Sequence, residues 1–295
     1  GIKAVFTENI VWDNEQKNII QAEPNKRIAV SAGPGTGKTA VACARVSSLL
    51  DNGLPASSIL MLSFTRTAIK ELTDRINSFV ENENTATNLR ITTIDSRAWS
   101  IRYGFTEEEV NKLFGDFDVN VEEAISKLNS NDQQFIDYLN SINHIIIDEA
   151  QDINGIRSDF INLLISKVNQ NCGVTIFYDK AQAIYGFAEK KEGIVPKNFI
   201  EFVENYIDKK IFQKYELKNI KRTDSKKLQK LFTELRLGIF GYKNHTKKDI
   251  ENTIKSITEN SEFGKDLPSQ FSDRGKSIIS YLHKLNNNDL FLFRK

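Results

Sequence analysis

Few residues of this sequence are of the kinds that build disulfide frameworks, metal clusters or membrane spans. Its two cysteines, Cys43 and Cys172, lie far apart and next to apolar residues, so we expect free thiols in a reducing compartment. Its three histidines, His144, His245 and His283, have no metal-ligand spacing. No apolar run approaches the roughly 18 residues that a membrane-spanning helix needs. The composition therefore favours a soluble globular protein without membrane partners.

An excess of charge of one sign is also missing. The 40 lysines and arginines balance 39 acidic residues, so the net charge of +1 neither indicates nor argues against nucleic acid, and any basic surface must be local. The N-terminus lacks a positively charged, apolar segment, so we expect a cytoplasmic location. The first residue is glycine rather than methionine, which suggests a processed or excised chain. Its 295 residues suffice for one large or two ordinary domains.

A glycine-rich stretch, Ala32-Gly-Pro-Gly-Thr-Gly-Lys-Thr39, stands between an apolar run and a helical pattern. In that strand–loop–helix order, glycines let backbone N–H groups turn toward an anion, and the helix N-terminus adds partial positive charge. Lys38 would reach the β- and γ-phosphates, and the Thr39 hydroxyl would ligate Mg²⁺. Such loops usually begin with glycine, and a glycine-rich turn without a ligand is the alternative. The flanking patterns favour a nucleoside triphosphate site.

Short apolar runs alternate with helical patterns such as Thr67–Val80 through most of the chain. Runs rich in Ile, Val and Leu are typical of strands covered on both faces. The predicted strands are Arg27–Ser31, Ser58–Phe64, Leu89–Thr93, His144–Asp148 and Val174–Tyr178. The alternation predicts an α/β fold, a parallel sheet with helices on both faces, in which ligands collect at the carboxyl edge.

Two segments depart from this alternation. Residues 103–142 are helical and partly acidic, which predicts a small helical insertion. A strand at Ile211–Leu217 and a helix at Ser225–Phe240 predict a new unit, and the chain ends on a strand, Leu290–Phe293, that no helix follows. We therefore expect a first domain of residues 1–212 and an incomplete second α/β domain of residues 213–295.

An acidic pair, Asp148-Glu149, follows three consecutive isoleucines about 110 positions after Lys38. At the edge of the sheet, Asp148 would hold Mg²⁺ directly or through water. Glu149 would act as the base or positioning group for the water that attacks the γ-phosphate. The alternative is an acidic cap of a helix N-terminus. With the glycine-rich loop upstream, the pair indicates a magnesium-dependent nucleotide hydrolase.

The predicted strand Val174–Tyr178 is also followed by polar residues. Gln182 is a candidate contact for the γ-phosphate, and the aromatic side chains of Tyr185 and Phe187 would offer faces to nucleic-acid bases. The alternative is that both aromatic side chains belong to the core.

Together these segments resemble the UvrD/Rep branch of superfamily 1 helicases, over roughly residues 10–235. Trp12-Asp-Asn-Glu-Gln16 is similar to the Q motif, which implies that Gln16 recognises adenine. Alanine at the first loop position is common in this family. The resemblance implies a P-loop NTPase of the RecA-like type, with ATP and Mg²⁺ as cofactors. The resemblance implies that the nucleotide is bound by Gln16, Gly33, Gly35, Thr36, Gly37, Lys38, Thr39 and Arg222. It implies catalytic roles for Lys38, Glu149 and Gln182. It implies that Thr39 and Asp148 hold the metal.

Ser63-Phe-Thr-Arg-Thr resembles motif Ia of the family, which implies that Phe64 and Thr65 contact single-stranded DNA. Thr93-Ile-Asp-Ser96 resembles the next DNA-contacting element, and from it only Thr93 is transferred, because Asp95 stands where the family has histidine. The segment Asp179…Gln182…Tyr185-Gly-Phe187 resembles motif III of the family, which implies that Tyr185 stacks on a base. Stacking tolerates either sugar, so RNA stays open as a substrate.

Other positions depart from the family. Ala188 stands where the family typically has an arginine that touches the γ-phosphate, which puts the rate of hydrolysis in doubt. Leu217-Lys-Asn-Ile-Lys-Arg222 is a weak likeness of the motif that opens the second RecA-like domain, and only Arg222 aligns usefully. The later motifs do not occur in the sequence, so we expect weak ATP binding and poor hydrolysis from this chain.

The sequence thus favours the motor half of an ATP-dependent DNA helicase or translocase that moves on single-stranded DNA. An ATP-sensing regulator, partnered with a nuclease in phage defence and without strand separation, is the alternative; Ala188 and the short insertion favour it, whereas Glu149 and Gln182 favour the motor. A nucleotide-binding relic without hydrolysis is disfavoured by the intact acidic pair.

Overall fold

The computed structural model describes residues 11–33, 35–79, 87–104, 116–186 and 197–219, and for residues 78–79 and 184–186 it describes the backbone alone. The chain divides into two compact units: Gly1–Ser31 with Thr39–Glu216, and Ala32–Lys38 with Leu217–Lys295. Over the described ranges, every helix is too short or too polar to span a bilayer.

A six-stranded sheet forms the centre of the fold, with strand order β3-β2-β4-β5-β1-β6. Its strands are β1 (Arg27–Ala32), β2 (Ile59–Ser63), β3 (Arg90–Thr93), β4 (His144–Ile147), β5 (Gly173–Tyr178) and β6 (Gln213–Leu217). The pairs β1–β5, β5–β4, β4–β2 and β2–β3 are parallel. The parallel α/β fold and its five predicted strands are confirmed, with bounds that differ by one or two residues.

The sixth strand corresponds to the predicted strand Ile211–Leu217, which the sequence analysis placed around the start of a second domain. In the structure β6 lies next to β1 at the edge of the first sheet. Its first two residues are exposed, as is common for an edge strand. Which strand a short edge segment joins depends on pairing with distant residues, and local sequence does not determine that. A second domain after β6 stays a prediction.

Helices connect the strands. They are α1 (Asn14–Ile20), α2 (Lys38–Asp51), α3 (Arg66–Phe79), α4 (Ile94–Arg102), α5 (Phe117–Leu128), α6 (Gln133–Asn140), α7 (Ile156–Lys167), α8 (Lys180–Gly186) and α9 (Phe199–Asp208). Short 3-10 turns occur at Ala56–Ser58 and Ala150–Asp152. Helix α3 corresponds to the predicted Thr67–Val80. The described part of the predicted insertion, α5 and α6, is helical as expected.

The two faces of the sheet are covered by different helices. The connections through α2 and α3 run across the sheet in one direction and those through α4 to α7 in the other, so right-handed crossovers place the two groups on opposite faces. Side chains along a strand alternate between faces. Leu60 and Leu62 accordingly belong to one buried cluster with residues of α4, α5, α7 and α9, whereas Met61 does not. Met61 and every second residue from it therefore face α2 and α3.

Candidate nucleotide-binding site

The glycine-rich loop connects β1 to α2, and its glycines have the backbone that the sequence predicts. Gly35 and Gly37 have φ values of 75° and 79°, in the left-handed region that favours glycine. The buried Thr36 donates its hydroxyl to the carbonyl oxygen of Gly33 at 2.8 Å. Lys38 is the first residue of α2. The loop therefore holds its own turn by internal contacts, and its role in binding phosphate stays a prediction.

Gln16 is buried and participates in the cap of α1. Its backbone N–H donates to Asp13 Oδ1 at 2.8 Å, and its Oε1 accepts from the Asp13 backbone N–H at 3.1 Å, which forms a capping box. An amide oxygen has two acceptor lone pairs. This cap therefore fixes the orientation of the Gln16 side chain, and its role in recognising adenine stays a prediction.

Asp148 directly follows β4 and extends its pairing, because its N–H donates to the Leu62 carbonyl oxygen at 2.9 Å. Its side chain is only 3% exposed. Ile145 and Ile147 belong to the cluster on the α4–α7 side, so alternation directs Asp148 toward the face that α2 and α3 cover.

An electrostatic effect supports this placement. Burial raises the pKa of the Cys43 thiol in α2 to about 12; the nearby Arg75 guanidinium opposes that rise, and the Asp148 carboxylate adds to it. Cys43 lies four residues after Thr39, so both side chains lie on the same side of α2. Thr39 and Asp148, the two residues predicted to hold the metal, are thus directed to the same side of the sheet.

The donor chemistry of these two residues fits Mg²⁺. Magnesium keeps several waters and is usually held by one or two carboxylates together with substrate phosphates. Over the described ranges, no group of three or more His, Cys, Asp or Glu side chains is arranged to hold a metal ion. A cation that arrives with a triphosphate, and needs one hydroxyl and one buried carboxylate from the protein, is compatible with that finding.

Glu149 has an unusual backbone for a residue other than glycine, with φ 52° and ψ 46° in the left-handed region. Non-glycine residues in this region carry strain, and such positions cluster at functional sites. Its Oε2 accepts a short hydrogen bond from Gln151 Nε2. The predicted base is therefore oriented both by its backbone and by a neighbouring amide.

Gln151 connects the ends of β4 and β5. Besides Glu149, its Nε2 donates to Gln182 Oε1 at 3.4 Å, and its Oε1 accepts from the backbone N–H of Asp179 at 3.0 Å. Asn198 Nδ2 donates to the Gln151 carbonyl oxygen at 2.8 Å. The side chain is 3% exposed. Every polar atom of this side chain is thus engaged, which fixes its position.

Gln182 and Asp179 complete this hydrogen-bonded network. Gln182 Nε2 donates to Asp179 Oδ2 at 3.1 Å, and Asp179 Oδ1 accepts from the Ala181 N–H at 3.0 Å. The structure therefore joins Glu149 and Gln182, two predicted catalytic residues, through one intervening amide. Sequence analysis gave no role to Gln151, although it lies two residues after Glu149, and none to Asn198, which no local motif marks.

The predicted DNA contacts differ in exposure. Phe64, between β2 and α3, is 38% exposed, whereas Thr93 is 8% exposed. Thr93 caps α4: its hydroxyl accepts from the Ser96 N–H at 3.1 Å and donates to Ser96 Oγ at 2.8 Å. Thr65 likewise accepts from the Ala68 N–H at 3.1 Å, before the first turn of α3. Phe64 and Thr65 are thus exposed and Thr93 is buried, and the two threonine hydroxyls cap helices locally.

Other predicted positions fall wholly or partly outside the described residues. Tyr185 lies in α8, whose backbone alone is described at that point. Phe187, Ala188 and Arg222 lie outside the described residues. Asp95 stands where the family that the sequence resembles has histidine. Its Oδ1 accepts a hydrogen bond from Arg157 Nε at 2.9 Å.

Comparison with known families identifies the chain. Residues 16–188 match the AAA_19 family, an AAA domain. The chain belongs to this family. The match covers the glycine-rich loop, the acidic pair and the hydrogen-bonded network around Gln151. The resemblance to superfamily 1 helicases inferred from the motifs is confirmed in the same region.

Individual relatives of this AAA domain are helicases. The ATP-dependent DNA helicase srs2 of Schizosaccharomyces pombe is 36% identical over 94 residues, which are 31% of this chain and 10% of that protein. An ATP-dependent helicase/nuclease subunit of Lactobacillus gasseri is 36% identical over 72 residues, 24% of this chain and 6% of that protein. The Pif1 helicase from Candida albicans has a TM-score of 0.46 and 14% identity, covering 84% of this chain and 48% of that one. The matched stretches thus span a tenth or less of the two curated relatives.

Proposed function

We propose that this AAA domain binds ATP with Mg²⁺ and belongs to a helicase-type motor that couples ATP hydrolysis to movement on single-stranded DNA. The observation that carries the proposal is the hydrogen-bonded network that joins the half-buried Glu149 and Gln182 through the buried Gln151. A group that activates water and a group that contacts the γ-phosphate must respond to each other during turnover. A hydrogen-bonded connection between them through the single amide of Gln151 supports that role.

Individual residues would divide the work. The glycine-rich loop and Lys38 would bind the phosphates, and Gln16 would recognise adenine. Thr39 and Asp148 would hold Mg²⁺, which supplies charge neutralisation at the phosphates when bound. Glu149 would position the attacking water and accept its proton. Gln182 would contact the γ-phosphate.

DNA would contact the protein through Phe64. An exposed aromatic ring that directly follows a buried strand offers a face on which a base can stack. Thr65, Thr93 and Tyr185 stay candidates for further contacts. Because stacking does not distinguish ribose from deoxyribose, the test should include both kinds of strand.

The experiment that tests the proposal is an ATPase assay on the full chain, with and without Mg²⁺, in the presence of oligo-dT, oligo-rU or no strand. We expect Mg²⁺-dependent hydrolysis that single-stranded DNA stimulates. Phe64→Ala should reduce that stimulation, whereas the Phe117→Ala variant, which removes an exposed aromatic side chain from α5, should not. Absence of nucleotide binding by the chain, measured with a fluorescent ATP analogue, would refute the proposal at its first step.

A second candidate function is an ATP-sensing regulator that acts with a nuclease. Ala188, in place of the arginine of the resembling family, favours it, as does the similarity to a relative whose name joins helicase and nuclease. A strand-displacement assay separates the two. Tight ATP binding with slow hydrolysis and no displacement would favour the regulator.

A further inference from the structure

Ser63, the last residue of β2, has none of the roles assigned so far. It is 0% exposed, and within the described ranges no group hydrogen-bonds its Oγ. Buried hydroxyls in folded proteins nearly always have a partner, because an unsatisfied one loses its hydration without compensation. The protein therefore retains an unfavourable buried hydroxyl at this position, which calls for an explanation.

The register of the sheet identifies the neighbours of Ser63. Leu62 pairs with Ile147 in the parallel β2–β4 ladder, so the next position, Ser63, is level with Asp148. The hydrogen bond from the Asp148 N–H to the Leu62 carbonyl oxygen, at 2.9 Å, shows that this register continues past β4. Neighbouring residues in register lie on the same face of a sheet, so Ser63 and Asp148 share a face.

That face is the one covered by α2 and α3. Leu60 and Leu62 pack on the opposite side of the sheet, so alternation directs Ser63 toward the helix that carries Thr39. On β3, Thr93 is level with Ser63, but its hydroxyl is used in the cap of α4. Of the two hydroxyls next to each other in this row, only that of Ser63 is not engaged by a group of the described chain.

We propose that Ser63 is a positioning residue for the hydrated Mg²⁺ at Asp148, an inference that rests on the proposed nucleotide-binding function. A magnesium ion held by few protein ligands keeps several waters, and those waters are hydrogen-bond donors. A serine hydroxyl offers two acceptor lone pairs and one donor. Ser63 Oγ would accept a hydrogen bond from a water of the metal, which would satisfy a hydroxyl that no described residue hydrogen-bonds.

The proposal predicts an unusual pair of effects for Ser63→Ala. Without nucleotide and metal, the variant should be more stable than the wild type, with a melting temperature raised by about 2 °C, because an unsatisfied buried hydroxyl is removed. In contrast, it should need about ten times more Mg²⁺ for half-maximal binding of a fluorescent ADP analogue, since loss of an outer-shell partner typically weakens metal binding by that order. A hydroxyl without a role in metal binding would leave the Mg²⁺ requirement unchanged, whatever its effect on the melting temperature.

Ser58→Ala is the matched control, because Ser58 immediately precedes the same strand and is 5% exposed. Its hydroxyl donates to the Pro55 carbonyl oxygen at 2.8 Å. This variant should have a lower melting temperature and an unchanged Mg²⁺ requirement. Ser63→Thr keeps the hydroxyl and should retain an Mg²⁺ requirement within about twofold of the wild type, whereas Ser63→Cys, with its weak acceptor, should behave like alanine.

The measurement is a titration of Mg²⁺ at fixed protein and nucleotide analogue, followed by fluorescence anisotropy, with electron paramagnetic resonance of Mn²⁺ as an independent readout. The wild type is expected to bind nucleotide only with Mg²⁺. If it does and the Mg²⁺ requirement of Ser63→Ala is unchanged, this inference is overturned and the proposed function stays intact. A wild type that binds no nucleotide would overturn both. If neither Ser63→Ala nor Ser63→Cys folds, the hydroxyl is structural and the inference is wrong.

Discussion

Strand β4 carries a buried polar residue at each end, and the two ends are built differently. His144, its first residue, and Asp148, which follows its last, are four positions apart and so face the same side of the sheet. At the amino end, His144 Nδ1 donates to the Pro24 carbonyl oxygen at 2.8 Å, and Nε2 accepts from the Thr175 hydroxyl at 2.9 Å. Both ring nitrogens are therefore satisfied from within the protein.

The amino end is also closed sterically. A Cβ at Gly173, which pairs with His144, would lie 1.9 Å from the Pro24 carbonyl oxygen and 2.5 Å from His144 Nδ1. At the carboxyl end, by contrast, no group of the described residues hydrogen-bonds Ser63 Oγ, and Glu149 has a strained backbone. Burial of polar groups alone therefore does not identify a ligand-binding site. The amino end is complete without a ligand, whereas the carboxyl end has features that a ligand would explain.

The largest expected effect concerns catalysis at the carboxyl end. Glu149→Gln should reduce ATP hydrolysis about 10³-fold, equivalent to ~4 kcal/mol in the barrier, because the amide cannot accept the proton of the attacking water. Its amide oxygen can still accept from Gln151, so nucleotide binding and melting temperature should stay near wild type. Steady-state turnover and fluorescent-nucleotide binding test this. Equal loss of binding and turnover would show that Glu149 is structural.

The next effect concerns stability at the amino end. Gly173→Ala should destabilise the protein by about 3 kcal/mol or more, because the added methyl group meets backbone and an imidazole ring rather than a flexible side chain. Gly53→Ala is the control: its φ is +89° but nothing lies within 4 Å of the added carbon, so only a conformational cost of about 1 kcal/mol is expected. Denaturant unfolding measures both. A Gly173→Ala variant as stable as the wild type would contradict the closed packing.

A double-mutant cycle would sharpen the description of the carboxyl end. Gln151→Ala and Gln182→Ala should each slow ATP turnover, and their effects should be non-additive by about 1 kcal/mol, since the residues share one network. The control pair is Gln151→Ala with Gln134→Ala. In the wild type, Nε2 of the exposed Gln134 donates to the Gly104 carbonyl oxygen. The effects of these two substitutions on ATP turnover should be additive. Additive effects in the first cycle would show that the network does not couple the two residues.

A further effect at the amino end is the dependence of stability on pH that His144 causes. Burial and the charge of Arg45 lower its pKa to about 3, from 6.5 in the unfolded chain. Between these values the unfolded state binds the proton and the folded state does not, so stability falls as pH falls below 6.5, by up to ~1.4 kcal/mol per pH unit. His144→Asn keeps a donor for Pro24 and cannot titrate there. Its unfolding free energy should depend less on pH than that of the wild type; identical pH profiles would contradict a neutral, buried imidazole.

Much of the fold follows from local sequence. Apolar runs such as His144–Asp148 and the pattern Thr67–Val80 predicted strands and helices closely, because periodicity of burial is a local signal. The glycines at 35 and 37 were predicted for a turn and have the positive φ that it requires. The position of β6 beside β1 was not predicted, since pairing at an edge involves residues nearly two hundred positions apart along the chain.

The sequence by itself determined the family of this protein, because a glycine-rich loop, an acidic pair and a polar strand end are each encoded in a few consecutive residues. Only the tertiary structure decided which groups meet: Ser63 level with Asp148, Gln151 between Glu149 and Gln182, and Gly173 against His144. Those relationships depend on strand order and register, and a shift of one residue would move each side chain to the other face. Register is fixed by packing across the whole sheet, so no short segment contains it.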